Sequence, residues 1–364
     1  MRLELDVAKC VRAKSKFSLC ACCAEASPEH ISIVENIPTF KNQTGIEAAA
    51  AVGACPCEAL GLSGIVLSRF FFDFLDAKSD TLVPSKELPC LSLLSVEHLL
   101  SLALALEQNL KINIESYDKD SVQLQQILKR VDEVNQILSA VSAKKIEVIQ
   151  ERSEDESEPV DKDEGGSRRD FLTNLSLKGA LKQKKRFEES LEADELSQHL
   201  LESDDIAKLK EQHIPEKRKI LFSVLKYSDL FKNSVAIKSE KISFISDKVV
   251  NDSCTNCQMC YRLCPSGALS SDGRFSLINF DAMLCLKCRL CHDVCEVDAI
   301  TMSPHFDLGE FGKHHQETLI HFDIKRCDEC GNSFTYRGGE MLCPRCKVEE
   351  EEAASLHEKS GIIF

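Results

Sequence analysis

Two runs of cysteine carry the chemistry that can be read from this chain. The first is Cys254-x2-Cys257-x2-Cys260-x3-Cys264-Pro265, and the second is Cys285-x2-Cys288-x2-Cys291-x3-Cys295. This spacing lets three thiolates wrap one face of an iron–sulfur cubane within a single loop, while the fourth Cys points away and ligates the other cluster. One [4Fe–4S] cluster is therefore expected on Cys254, Cys257, Cys260 and Cys295, and a second on Cys285, Cys288, Cys291 and Cys264. The halves repeat beyond the ligands: Ala268 and Leu269 follow Cys264 as Ala299 and Ile300 follow Cys295. A short helix packing back under the clusters is expected at these positions. Eight free or disulfide-bonded Cys are not expected at this doubled spacing; zinc is the stronger competing reading, but zinc sites rarely use it.

Residues 250–303 closely resemble the bacterial dicluster ferredoxin family. The resemblance implies a small pseudo-symmetric α+β fold and one-electron transfer at low potential. Glu296 departs from the pattern, standing where the first run has Pro265; this alters the loop and not the ligand count.

An eroded copy of the motif occupies residues 1–62. Cys20-x2-Cys23-x3-Ser27-Pro28 matches the end of one run, with Ser in place of the fourth Cys, and Cys55-Pro56 followed by Ala59 and Leu60 matches the end of another. Crossed ligation would give one cluster Cys10, Cys20, Cys23 and Cys55, with Cys10 reaching in across a longer loop. The other cluster would need Gly45, Ala48, Ala51 and Ser27, which cannot bind it. One retained and one lost cluster are expected. The competing reading is leftover thiols in a cluster-free fold. Cys22 competes with Cys23 for its role, and Cys57 lies close to Cys55.

Near the C-terminus, Cys327-x2-Cys330-Gly331 and Cys343-Pro344-x-Cys346 stand twelve residues apart. Two such tight turns complete a tetrahedral thiolate site. Phe334, Tyr336 and then Gly338-Gly339 suggest a β-hairpin across the gap. The segment looks like a zinc ribbon, with structural zinc favoured over the redox iron of a rubredoxin-like site.

The elements that must position these residues separate by composition. Residues 63–150 are nearly Cys-free and look α/β: a helix is expected over 96–107, a strand over 111–115, a helix over 120–141 and a strand over 145–149. Residues 151–169 suggest an acidic flexible linker. A charged helical segment with little apolar face is expected over 170–239, the dicluster domain over 240–303, the ribbon over 320–348 and an acidic tail over 349–364. The fold class expected is α+β and multidomain, with two ferredoxin-like modules around an α/β domain. Arg168-Arg169 resembles an export motif but is internal, and it suggests only the basic start of a helix.

The chain has 364 residues, 19 Cys, no Trp and a net charge of −14. That balance argues against nucleic acid or an anionic membrane as the main partner. Clustered Cys without a secretory leader suggests metal ligation in a reducing, cytoplasmic compartment. No stretch has the length of a membrane span. No general base, open metal site or flavin fingerprint is visible, so an enzyme acting alone is not indicated. The function expected is electron transfer between protein redox partners, as the electron-carrying subunit of a larger oxidoreductase; formate dehydrogenases and hydrogenases commonly use such subunits. The alternative is an assembly or redox-sensing factor that docks a client oxidoreductase through the ribbon and the helical region.

Overall fold

A computed structural model describes residues 1–41, 45–151, 212–226, 234–311 and 315–360. The linker expected over 151–169, beyond Glu151, lies outside the described residues, as do Arg168-Arg169 and most of the charged helical segment.

Residues 1–62 form β1 (Leu3–Leu5), α1 (Val11–Lys14), α2 (Cys22–Ala26), β2 (Ile31–Val34), β3 (Ile37–Phe40), α3 (Ala49–Ala54) and β4 (Leu60–Leu62). The outer strands β1 and β4 pair antiparallel, and β2 and β3 form a hairpin. Its turn residues, Glu35 and Asn36, both have positive φ (47° and 65°). This is the primed turn whose twist matches paired strands, and Asn tolerates it well.

Next come α4 (Leu67–Asp76), β5 (Thr81–Leu82), α5 (Val96–Ala105), β6 (Leu110–Asn113), α6 (Val122–Val141) and β7 (Ile146–Ile149). The strands run parallel in the order β5-β6-β7. Ser95 and His98 close a reciprocal capping box at the start of α5, satisfying two otherwise orphaned amides.

The described part of the charged segment is α7 (Glu216–Leu225), and it is not an exposed helix. Ile220, Leu221, Phe222, Val224 and Leu225 are buried, and so are Lys217 and Arg218. Its two inner cations are matched by a buried carboxylate, Glu97 of α5. A count of charges along the sequence could not show that.

The second Cys-rich unit contains β8 (Ala236–Lys238), β9 (Lys248–Val250), α8 (Met259–Arg262), β10 (Leu269–Ser270), β11 (Leu277–Asp281), α9 (Leu290–Asp293) and β12 (Ile300–Met302). β9 pairs antiparallel with β12, and β10 with β11. This is the topology of residues 1–62, with an outer strand pair enclosing a hairpin. No helix follows Ala268 or Ala299; each leads directly into a strand. Their carbonyls accept the amides of Asp281 and Asn251 across the sheet, at 2.8 and 3.0 Å, and that pairing requires extended backbone.

β13 (His305–Asp307) pairs with β8, α10 (Leu308–Phe311) follows, and β14 (Gln316–His321) joins β11 to make a three-stranded sheet. β15 (Asp323–Arg326) and β16 (Ser333–Tyr336) form a hairpin, and α11 (Pro344–Ser360) ends the described chain. The hairpin lies earlier than Gly338-Gly339 suggested. The first Cys pair occupies its turn, and the two glycines, at φ 98° and 85°, bend the chain towards the second pair. The acidic residues Glu349–Glu352 are part of α11.

The described residues mix helix and strand, as an α+β class requires. One apolar core runs from the N-terminal unit through the parallel sheet and α7 to Phe244, Met283, Phe306 and Phe311. Among the described residues no helix is long and apolar enough to cross a membrane.

Candidate metal centres

Four gatherings of cysteine emerge. Cys254, Cys257, Cys260 and Cys295 line one cavity, here site I. Cys264, Cys285, Cys288 and Cys291 line a second, site II. Cys10, Cys20, Cys22, Cys23, Cys55 and Cys57 line a third, site III. At sites I and II the fourth Cys comes from the opposite run.

The fourth gathering is tighter. The sulfurs of Cys327, Cys330, Cys343 and Cys346 all lie within 4.8 Å of one another, and among the described residues no other group of metal-binding side chains is so close-set. Zinc–sulfur bonds of about 2.3 Å put tetrahedral sulfurs about 3.8 Å apart, and Cys330 Sγ to Cys343 Sγ is 3.7 Å. This group therefore fits a single ion, whereas no three sulfurs of sites I to III lie that close together. Cys343 N–H donates to Cys327 Sγ at 3.2 Å. Backbone donors from Cys330 and Cys343 pull the Cys327 thiol down to about 6, so it is a ready thiolate at neutral pH.

The loops around sites I and II share one backbone device. Asn256 and Gln258 in the first run have positive φ (56° and 72°), and so do Lys287 and Arg289 at the same positions of the second (50° and 64°). These left-handed residues curl the loop around the cavity. At the fourth Cys the amide four residues on points back at sulfur: Ala299 N–H donates to Cys295 Sγ at 3.2 Å, and Ala59 N–H to Cys55 Sγ at 3.3 Å. Burial pushes the thiols of Cys264 and Cys291 up, and those of Cys260 and Cys23 to about 12. To stand as thiolates, groups so placed need a cationic group bound among them.

Where site III would have a twin, the N-terminal unit is filled. Ala48, Ala49, Ala50 and Ala51 are fully buried. A Cβ on Gly45 would lie 2.6 Å from Leu62 Cδ1 and 2.9 Å from the Met1 carbonyl oxygen. Arg130 donates to the carbonyls of Ala50, Ser92 and Leu94, tying α3 to the α/β region. Ser27, at the fourth-ligand position, is buried, and among the described residues its hydroxyl has no hydrogen-bond partner.

The two Cys-rich units touch. Cys57, Cys20 and Val11 pack with Cys288, Leu286, Leu290 and Val294, so sites II and III share a wall. Cys57 packs beside Cys288, and the neighbouring thiol holds the Cys288 thiol below its usual value. Leu19 N–H donates to Asp293 Oδ2 at 2.8 Å. Behind this wall Lys217 Nζ donates to the Cys55 carbonyl at 2.6 Å, and Arg218 Nη1 to the Cys285 carbonyl at 2.8 Å. Glu97 faces both cations, 3.4 Å from Lys217 and 2.5 Å from Arg218. The ribbon sits at the other end: Arg337 donates to the Cys254 carbonyl, and Asn256 Nδ2 to Thr335 Oγ1 at 3.0 Å.

No protein-family model, curated protein or solved structure matches this chain. Every Cys singled out from the sequence lies in one of the four gatherings. Sequence reasoning gave no functional place to Lys217, Arg218 or Lys248. All three are buried cations whose value depends on long-range packing. The local signals available were the doublet Cys22-Cys23 and the extra thiol two residues past Cys55, Cys57.

Proposed function

We propose that this protein transfers electrons through a row of three [4Fe–4S] clusters. Two belong to a ferredoxin-type module at 240–303, on sites I and II. The third is held by Cys10, Cys20, Cys23 and Cys55 in a half-eroded copy of that module. The four close-set thiols at 327–346 hold a structural zinc. The observation that carries this reading is the crossing of ligands: each cavity in the second module takes three Cys from one run and one from the other, and site III repeats the pattern with Cys55 as the crossing ligand. Bound clusters supply one-electron chemistry. The chain's own residues hold them, exclude water and aim amides at sulfur, which set the potential.

Sites I and II share a module, and sites II and III share the Cys57–Cys288 wall. The arrangement therefore suits relay along the line I–II–III between protein partners, as in the electron-carrying subunit of a cytoplasmic oxidoreductase. The test is reduction of anaerobically purified protein with dithionite, followed by stopped-flow mixing with a one-electron acceptor. Reoxidation that is slowed in Cys55→Ser supports relay through all three sites. A reduced protein that passes electrons to no acceptor, with ligand variants still supporting a client enzyme, would favour a docking or assembly factor.

A further inference from the structure

We infer that Lys248 makes site II the highest-potential site of the row, so that a single electron entering the protein comes to rest there. The inference rests on the cluster reading above. Lys248 is 4 % exposed, at the first position of β9, and it lines the cavity together with Cys264, Cys285, Cys288 and Cys291; of the other two cations there, Lys287 is committed to the carbonyls of Ser239 and Ile242 and Arg289 is exposed. Its Nζ lies 2.8 Å from His292 Nε2. Among the described residues no carboxylate forms an ion pair with Lys248. Its ammonium therefore stands at the wall of the cavity with no carboxylate paired to it.

The other two sites lack this feature. Among the described residues no charged side chain lines site I, and the only one at site III is Arg12, whose guanidinium is committed to the Cys20 carbonyl and to Asn36 Oδ1. In the N-terminal unit the strand position matching Lys248 is Leu3: Lys248 faces Met302 across the outer pair as Leu3 faces Leu62. Reduction adds one electron and hence one negative charge to a site. A buried cation nearby stabilises that state, and net charge is one of the levers on cluster potential. Site II would then hold an electron between the two ends of the row until a partner at site I or site III withdraws it.

The test is a potentiometric titration followed by EPR on the full-length protein, with iron counted in parallel. In Lys248→Met the highest midpoint falls by a factor of at least ten in the reduction equilibrium, which is 59 mV for one electron. Iron stays unchanged, and Lys248→Arg keeps the wild-type value. If Lys248→Met loses iron, Lys248→Gln reads the same shift while keeping a donor to His292. An unmoved highest midpoint with iron retained overturns the inference and leaves the cluster reading intact. So does a shift in a lower midpoint, or loss of site II iron in both variants. Absence of iron from the wild-type 254–295 region would defeat the cluster reading itself.

Discussion

Lys217 Nζ donates to the Cys55 carbonyl oxygen at 2.6 Å. With its neighbour Arg218 on the Cys285 carbonyl, it ties the fourth-ligand loop of site III to the first-ligand loop of site II. Both cations converge on Glu97. Burial pushes that carboxyl up, but Arg218 and Lys217 together overcome burial and leave it below the usual carboxylate range.

Breaking this triad should be costly. Arg218→Met leaves Glu97 buried beside a single cation and strips donors from the carbonyls of Met283, Cys285 and Phe244. Removing one partner of a buried pair costs about 3–5 kcal/mol. Guanidinium unfolding of the full chain should show a loss of that order, partly recovered in Glu97→Gln/Arg218→Met.

The ligand set of site III is testable thiol by thiol. Cys23 falls at the second position of α2 as Cys260 does in α8, whereas Cys22 matches Met259. Cys20→Ser, Cys23→Ser and Cys55→Ser should each remove about a third of the iron. Cys22→Ser and Cys57→Ser should leave it unchanged. Iron loss in Cys22→Ser with none in Cys23→Ser would reverse the assignment.

His98 predicts a pH dependence of stability. It is buried in the α5 capping box, and burial, followed by Lys217, pushes it from 6.5 down to about 3. The folded state therefore resists protonation that the unfolded chain accepts. Stability is full above 6.5 and falls as pH drops towards 3, by up to roughly 1.4 kcal/mol per pH unit. His98→Asn should flatten that slope in urea titrations between pH 6.5 and 4; an unchanged slope would contradict it.

The ribbon's metal should matter beyond the ribbon. Cys343→Ser, or a strong zinc chelator, removes the cross-link holding the β15–β16 hairpin near the Cys254 loop, through Arg337 and Thr335. Hydrogen exchange should quicken at Cys254–Gln258 as well as at 323–346. Acceleration confined to 323–346 would mean that the ribbon does not support site I.

What could be read from the sequence was what depends on local spacing. The Cys quartets follow from three-residue periods. The helix and strand over 120–149 follow from apolar periodicity and appear as Val122–Val141 and Ile146–Ile149. The short apolar stretches after Ala268 and Ala299 do not distinguish helix from strand, and cross-sheet amides decide the matter. Lys217, Arg218 and Lys248 could not have been identified as buried, because Glu97 is 121 residues from Arg218 and His292 is 44 from Lys248. The filling of the lost site was half legible: the missing Cys showed that a cluster could not bind, but not that Arg130 and α3 take up the space.

The most direct test of the central claim is a metal and sulfide count with EPR on anaerobically purified, dithionite-reduced full-length protein, beside Cys55→Ser. Three clusters and one zinc predict about twelve iron and about twelve sulfide per chain. They also predict a spectrum of magnetically interacting centres that simplifies when Cys55→Ser removes four irons. Zinc in place of iron at 254–295, or a Cys55→Ser protein with undiminished iron, would contradict the account.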